Sequence, residues 1–130
     1  MLNVRGYIFS RSFFGERVPQ HIQNIVIRDF CKKNKLNYNL SLVEYAMKDS
    51  YTMFNQIINQ IDKFDGVVLY SLFQLPKSDK VRNNLCNNIL NKNKKIYFAN
   101  ENRVVKSKFE LEKINIIWKL KQKIPEKFIY

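Results

Sequence analysis

Ser10, Arg11 and Ser12 close the first apolar run of the chain, Gly6-Tyr7-Ile8-Phe9, and Glu16, Arg17 and His21 follow within a few residues. Hydroxyls, guanidiniums, a carboxylate and an imidazole gathered in so short a stretch suit an anionic ligand. Guanidinium forks grip phosphate or carboxylate bidentately. A helix opening at Val18-Pro19 adds free N–H groups of its own. In this pattern Ser10 is the candidate nucleophile and His21, the only histidine, the candidate general base. Arg11, Ser12 and Arg17 are the candidate anion ligands.

Three later stretches carry compatible groups. Glu44-Tyr45-Ala46-Met47 offers a carboxylate that could transfer protons or pair with the two arginines, with Tyr45 as a ligand contact. Tyr70-Ser71-Leu72-Phe73-Gln74-Leu75-Pro76 offers Ser71 and Gln74, neutral hydrogen-bonding groups that suit a sugar hydroxyl or a plain loop contact. Asn100-Glu101-Asn102-Arg103 adds a second carboxylate and another cation. With 3 Gly and no Gly-rich motif, a phosphate loop or dinucleotide fingerprint is excluded. His, Cys and carboxylates do not fall at metal-ligand spacing, so neither metal nor cofactor is expected.

These groups sit at the ends of elements that the apolar pattern predicts. Val4–Ser10, Tyr38–Tyr45, Val67–Ser71 and Lys95–Ala99 read as strands, and Val67-Val68-Leu69, apolar on both faces, reads as a central parallel one. Helices are predicted over Val18–Lys33, Tyr51–Lys63, Ser78–Asn91 and Lys106–Lys123, followed by a Pro-containing tail over 124–130. The first helix is expected to bury Val18, Ile22, Val26 and Phe30 with Ile25 beside them, and to hold Pro19 in its first turn. The third is expected to bury Val81, Leu85, Ile89 and Leu90, and the last Leu111, Ile114, Ile117 and Trp118. Strands alternating with helices imply βαβ units, a mostly parallel sheet of four to five strands and helices on both faces, in one α/β/α domain over 1–130. Ligands of such sheets lie beyond the carboxyl ends of the strands, where the strand order reverses.

The chain has 130 residues, 45% of them hydrophobic, with a formal charge of +12. That length is one domain with a sizeable core. No apolar stretch is long enough to cross a membrane, and Arg5 interrupts any secretory core, so a cytoplasmic protein is expected. Cys31 and Cys86 are expected to be reduced core thiols. The charge has two readings. One is a polyanionic partner. The other is compositional drift, which the sixteen Asn and the dispersed Lys favour.

Arg5 to Arg11, Gly15 to His21, Glu44 to Met47 and Tyr70 to Pro76 together resemble the sporadic carbohydrate cluster family, small proteins encoded among bacterial surface-polysaccharide genes. The order of elements is more distantly similar to the catalytic domain of serine recombinases, resolvases and invertases. That family has a Tyr-x-Arg-x-Ser strand end, a Gln-bearing helix, and a later strand followed by Leu-Asp-Arg-Leu. Here the first motif reads Tyr7-Ile8-Phe9-Ser10-Arg11, with Arg and Ser in changed order. The later motif reads Leu72-Phe73-Gln74-Leu75, with Asp and Arg gone. The second resemblance implies a resolvase-like, flavodoxin-like fold without the Ser and Arg set that strand exchange requires.

The first resemblance implies a role in surface-polysaccharide synthesis, with an anionic sugar, sugar phosphate or nucleotide sugar held by Arg11 and Arg17 and contacted by Ser10, Glu44, Ser71 and Gln74. The alternatives are a recombinase-derived nucleic-acid binder and a non-catalytic oligomeric partner of a larger enzyme. A homodimer is compatible with each.

Overall fold

Alternating apolar and turn-rich segments fold into five strands and four helices in a computed structural model that describes residues 1–123. The predicted tail over 124–130 lies outside the described residues. The elements are β1 (Leu2–Phe9), α1 (Gln20–Lys33), β2 (Leu36–Glu44), α2 (Thr52–Asn59), β3 (Gly66–Leu69), α3 (Asp79–Leu90), β4 (Lys95–Phe98), β5 (Arg103–Val105) and α4 (Lys108–Gln122). Short 3-10 turns over Ile61–Lys63 and Leu72–Gln74 flank β3.

The strand order is β2-β1-β3-β4-β5. β1 to β4 are parallel, and β5 returns antiparallel to β4. This is a single α/β domain with a five-stranded, mostly parallel sheet. β5 is absent from the sequence reading because three residues, Arg103-Val104-Val105, are too short to show a period. The chain reverses into it at Asn102, whose φ of 52° uses the left-handed tolerance of Asn.

The order reverses at β1. β2 lies on one side of it and β3 on the other, so loops leaving β1 and β3 splay apart there and open a crevice. Helices cover the two faces unequally. Ile27, Phe30 and Cys31 of α1 meet Val4, Ile8, Val68 and Tyr97 on one face. Side chains of α2, α3 and α4 meet Tyr7, Phe9, Val67, Leu69 and Phe98 on the other. Burial of β3 on both sides matches its unbroken apolar run, and each such side chain contributes about 1.5–3 kcal/mol.

The buried face of α1 is not the one expected. Gln23, Ile27, Phe30 and Cys31 are buried, Val26 is half-buried, and Ile22 and Ile25 are exposed. A strict four-residue spacing drifts around a 3.6-residue helix, and the true stripe begins at a polar residue, Gln23, which a search for apolar side chains passes over. Pro19 sits at the N-cap rather than inside the first turn, and its carbonyl accepts from the Ile22 and Gln23 N–H groups. Val81 of α3 is likewise exposed, whereas Leu85, Ile89 and Leu90 are buried as expected.

Two local devices fix the edge by β2. The register slips between Arg5 and Gly6, leaving Leu40 as the extra residue of a bulge, exposed on the edge strand. Gly6 lies against that bulge, where an added Cβ would collide with the Ser41 hydroxyl. Cys31 and Cys86 are free and buried, and burial pushes their thiols up to about 11 and about 12.

Candidate functional site

Gln23 organises the reversal point. Its amide pairs with the end of β1 as a neighbouring strand would. Nε2 donates to the Phe9 carbonyl at 2.9 Å, and Oε1 accepts from the Phe9 N–H at 3.0 Å. Nε2 also donates to the Val18 carbonyl at 2.8 Å, which fixes the approach to α1. Oε1 takes a further bond from Gln74 Nε2 at 2.8 Å. Gln74 Oε1 accepts from the Ser71 N–H at 3.3 Å, and Ser71 Oγ donates to Glu101 at 2.7 Å. Glu101 also accepts from the Leu72 N–H at 2.9 Å. A run of side-chain amides, hydroxyl and carboxylate thus ties the ends of β1, β3 and β4 together.

Glu44 is buried at the end of β2 and faces the start of α2. It accepts from the N–H groups of Met53 and Phe54, at 3.1 and 3.2 Å, from Tyr45 N–H at 3.0 Å, from Ser50 Oγ at 3.2 Å and from Tyr7 Oη at 2.9 Å. A carboxylate from a strand therefore satisfies the orphan donors of α2, whose own N-cap, Tyr51, supplies no side-chain bond. Burial, and then the Glu44 charge beside it, push the Tyr7 phenol above its ordinary range and keep it a donor.

The remaining sequence candidates divide between the interior, the cleft and the surface. Ser10 Oγ donates to the Glu44 carbonyl at 2.7 Å, and Ser71 and Gln74 are buried in the network behind the crevice. Arg11 and Ser12 line the crevice itself. Arg11 donates to the Tyr45 carbonyl at 2.9 Å while the Tyr45 side chain stays exposed. Arg17 and His21 are exposed and are not among the crevice-lining residues. Among the described residues no group of three or more His, Cys, Asp or Glu is placed to hold a metal, and no helix is long and apolar enough to cross a membrane.

The crevice is a cleft of about 440 Å³ walled by aromatic rings, Phe9, Phe13, Phe14, Tyr51, Phe73 and Trp118, with Arg11, Lys48 and Lys77 among them. On one wall Phe14, Phe73 and Trp118 meet edge-on or tilted, with 5.0–5.4 Å between centroids. On the other the Arg11 guanidinium lies 4.0 Å from the Phe9 centroid and 5.1 Å from that of Tyr51. Lys121 Nζ stands over Phe14 and Phe73 at 5.7 and 5.2 Å. Arg82, fully buried in α3, braces this wall from behind. It donates to the Pro76 and Lys77 carbonyls and to Asn115, is paired with Asp79, and lies 4.9 Å from the Trp118 centroid. Burial lowers its pKa below the usual guanidinium value, against the pull of Asp79.

Solved structures share this architecture. The N-terminal catalytic domain of TP901-1 integrase superposes with a TM-score of 0.64 at 18% identity, covering 92% of this chain and 97% of that one. A resolvase family site-specific recombinase from Streptococcus pneumoniae superposes with a TM-score of 0.60 at 10% identity, covering 92% and 89%. The fold is resolvase-like. No family model matches the chain, and no curated protein matches it. The likenesses support the recombinase resemblance, and none of the comparisons supports the carbohydrate-cluster one.

With Tyr7 in register, Phe9 stands where the recombinase pattern has Arg, and Arg11 where it has Ser. In Leu72-Phe73-Gln74-Leu75, Phe73 replaces the Asp and Gln74 the Arg. Phe9 and Phe73 face the cleft as rings, and Gln74 is bonded to Gln23. Sequence reasoning missed Gln23, Arg82 and the ring wall. The adjacent Phe13-Phe14 pair and the aromatic residues at strand ends were the available signal for the wall.

Proposed function

We propose that this chain is a nucleic-acid-binding domain that keeps the resolvase-like fold without the groups for strand exchange. The observation that carries the reading is the cleft at the strand-order reversal. There aromatic rings sit beside Arg11, Lys48 and Lys77, with Lys121 over Phe14 and Phe73, the combination that nucleic-acid surfaces use to meet bases and phosphates. Ser10, Glu44, Ser71 and Gln74, the groups assigned by sequence to a sugar's hydroxyls, direct their polar atoms into the protein, which favours this reading over a sugar ligand. The formal charge of +12 supplies long-range attraction to a polyanion.

The test is binding of a labelled mixed-sequence nucleic acid, followed by fluorescence anisotropy at two salt concentrations. With about four phosphate-facing cations the slope of log affinity against log salt is roughly −3, so a fourfold rise in salt weakens binding on the order of 10²-fold. No binding at low salt, or binding indifferent to salt, overturns the reading. Supercoiled plasmid incubated with the protein is expected to stay intact. Nicking would show that strand-cleaving chemistry survives.

A further inference from the structure

We propose that the cleft is a subsite for one unpaired nucleotide of a single strand, its base against the half-buried rings of Phe14 and Phe73, behind which Trp118 lies buried, and its flanking phosphates on Arg11, Lys48 and Lys77. The inference rests on the nucleic-acid reading above and adds the class of nucleic acid.

The first support is shape and chemistry. The cavity is within the range of pockets that enclose small planar ligands. Half-buried aromatic rings and a guanidinium line it, groups that take a base by stacking without selecting its hydrogen-bonding edge. Inside a duplex both faces of a base are covered by its neighbours, so only a base out of the stack can use such walls.

The second is charge. Among the described residues, Arg11, Lys48, Lys77 and Lys121 take part in no ion pair. Asp49 is the one carboxylate among the lining residues, against three cations. A second hollow of about 580 Å³, lined by Ser78, Val81 and Gln122, shares Asp49, Tyr51 and Lys77 with the cleft, so a strand leaving the cleft has a neighbouring hollow within reach.

The third is backbone strain at the wall. Phe13 and Glu16 bridge, and the two residues between them, Phe14 and Gly15, have φ of 49° and 73°. A two-residue turn of this kind is normally met by Asn-Gly, because a bulky side chain in the left-handed region is disfavoured. This chain keeps a Phe there, and the ring is held on Phe73 and Trp118. Strain retained at one point of a ligand-sized cleft marks the ring it presents.

Trp118 is the only tryptophan, so its emission reports occupancy of this cleft and not of a phosphate track elsewhere. The experiment compares a single strand of about 12 nucleotides with the blunt duplex of the same sequence at low salt, by anisotropy and by Trp118 quenching. Expected are binding of the single strand roughly tenfold or more tighter than the duplex, and quenching on saturation. Phe73→Leu, which keeps apolar volume and is checked for native melting, is expected to lose roughly tenfold for the single strand with duplex affinity unchanged. Equal or tighter duplex binding, unmoved Trp118 emission, or an inert Phe73→Leu each overturns the subsite and leaves the nucleic-acid reading standing. A free nucleoside monophosphate that binds as tightly as the strand also overturns it. Absence of binding to either nucleic acid removes the underlying reading itself.

Discussion

Gln74 donates its amide N–H to Gln23 across 2.8 Å, joining the turn after β3 to the first helix at the point where the sheet changes direction. The two residues are 51 apart in sequence and both fully buried. Because Gln23 also holds both backbone groups of Phe9, the end of β1 has no independent freedom.

Gln23→Leu is expected to destabilise the fold by about 2–4 kcal/mol, because it strands the Phe9 N–H and carbonyl and the Gln74 amide without water. Gln74→Leu is expected to cost less, since Phe9 stays paired. Urea unfolding at constant slope measures both. A Gln23→Leu effect within about 0.5 kcal/mol would show that the clamp is not structural.

Glu44→Gln keeps the shape and loses the charge. The amide must turn a donor toward Tyr7, Ser50 or the N–H groups of α2, all of which donate. A loss of about 1–3 kcal/mol is expected, with faster hydrogen exchange at Met53 and Phe54 than elsewhere.

Stability is expected to fall on the alkaline side. Burial raises the phenols of Tyr7, Tyr51, Tyr70 and Tyr97 from 10.0, and the thiols of Cys31 and Cys86 from 9.0 to about 11 and about 12. The folded chain therefore holds protons that the unfolded chain has released. Their contribution is complete below the unfolded values and is lost as pH rises above them. Thermal melts are expected to drop steeply between about pH 9 and 11, with a shallower drop in Tyr7→Phe. A flat profile over that interval would contradict the burial of these groups.

Gly6→Ala places a methyl against Ser41 Oγ and 2.8 Å from the Tyr38 ring. An expected loss of about 1–3 kcal/mol should be partly recovered by Ser41→Gly in the same chain, because that removes the atom struck. Thermal unfolding of the single and double variants makes the comparison.

Lys48→Gln and Lys77→Gln are each expected to weaken nucleic-acid binding evenly across sequences and to reduce the magnitude of the salt slope by about 1. Unchanged slopes would place the phosphate contacts elsewhere.

The parallel core was legible because β3 is apolar on both faces and α4 repeats Leu111, Ile114 and Trp118 at helical spacing. The crevice was legible as a place, since strand ends at a reversal follow from the order of elements. Its chemistry was harder to read. Ser10, Glu44, Ser71 and Gln74 are polar residues at strand ends, the usual look of a ligand site. For Ser10, Ser71 and Gln74, whether such a group points outward or closes a buried bond depends on partners 30 to 51 residues away, and no local pattern encodes that. Gln23 was hidden for the opposite reason, as a polar residue doing a core residue's work. Phe14 reads as an ordinary hydrophobe in the sequence, and only its positive φ and its contact with Trp118 reveal its place in the wall.

Unequal helix cover has a dynamic consequence. Among the described residues, one side of the sheet is roofed by α1 alone and the other by three helices packed on one another. Detaching a single element would bare a whole side of the sheet, and nothing comparable is available on the opposite side. Amide protection should therefore rise in two tiers, α1 releasing its protons in a partial opening and α3 and β3 only when the entire molecule unravels. Since α1 carries Gln23, that partial opening would also release the end of β1, so the crevice would come apart before the rest of the molecule does.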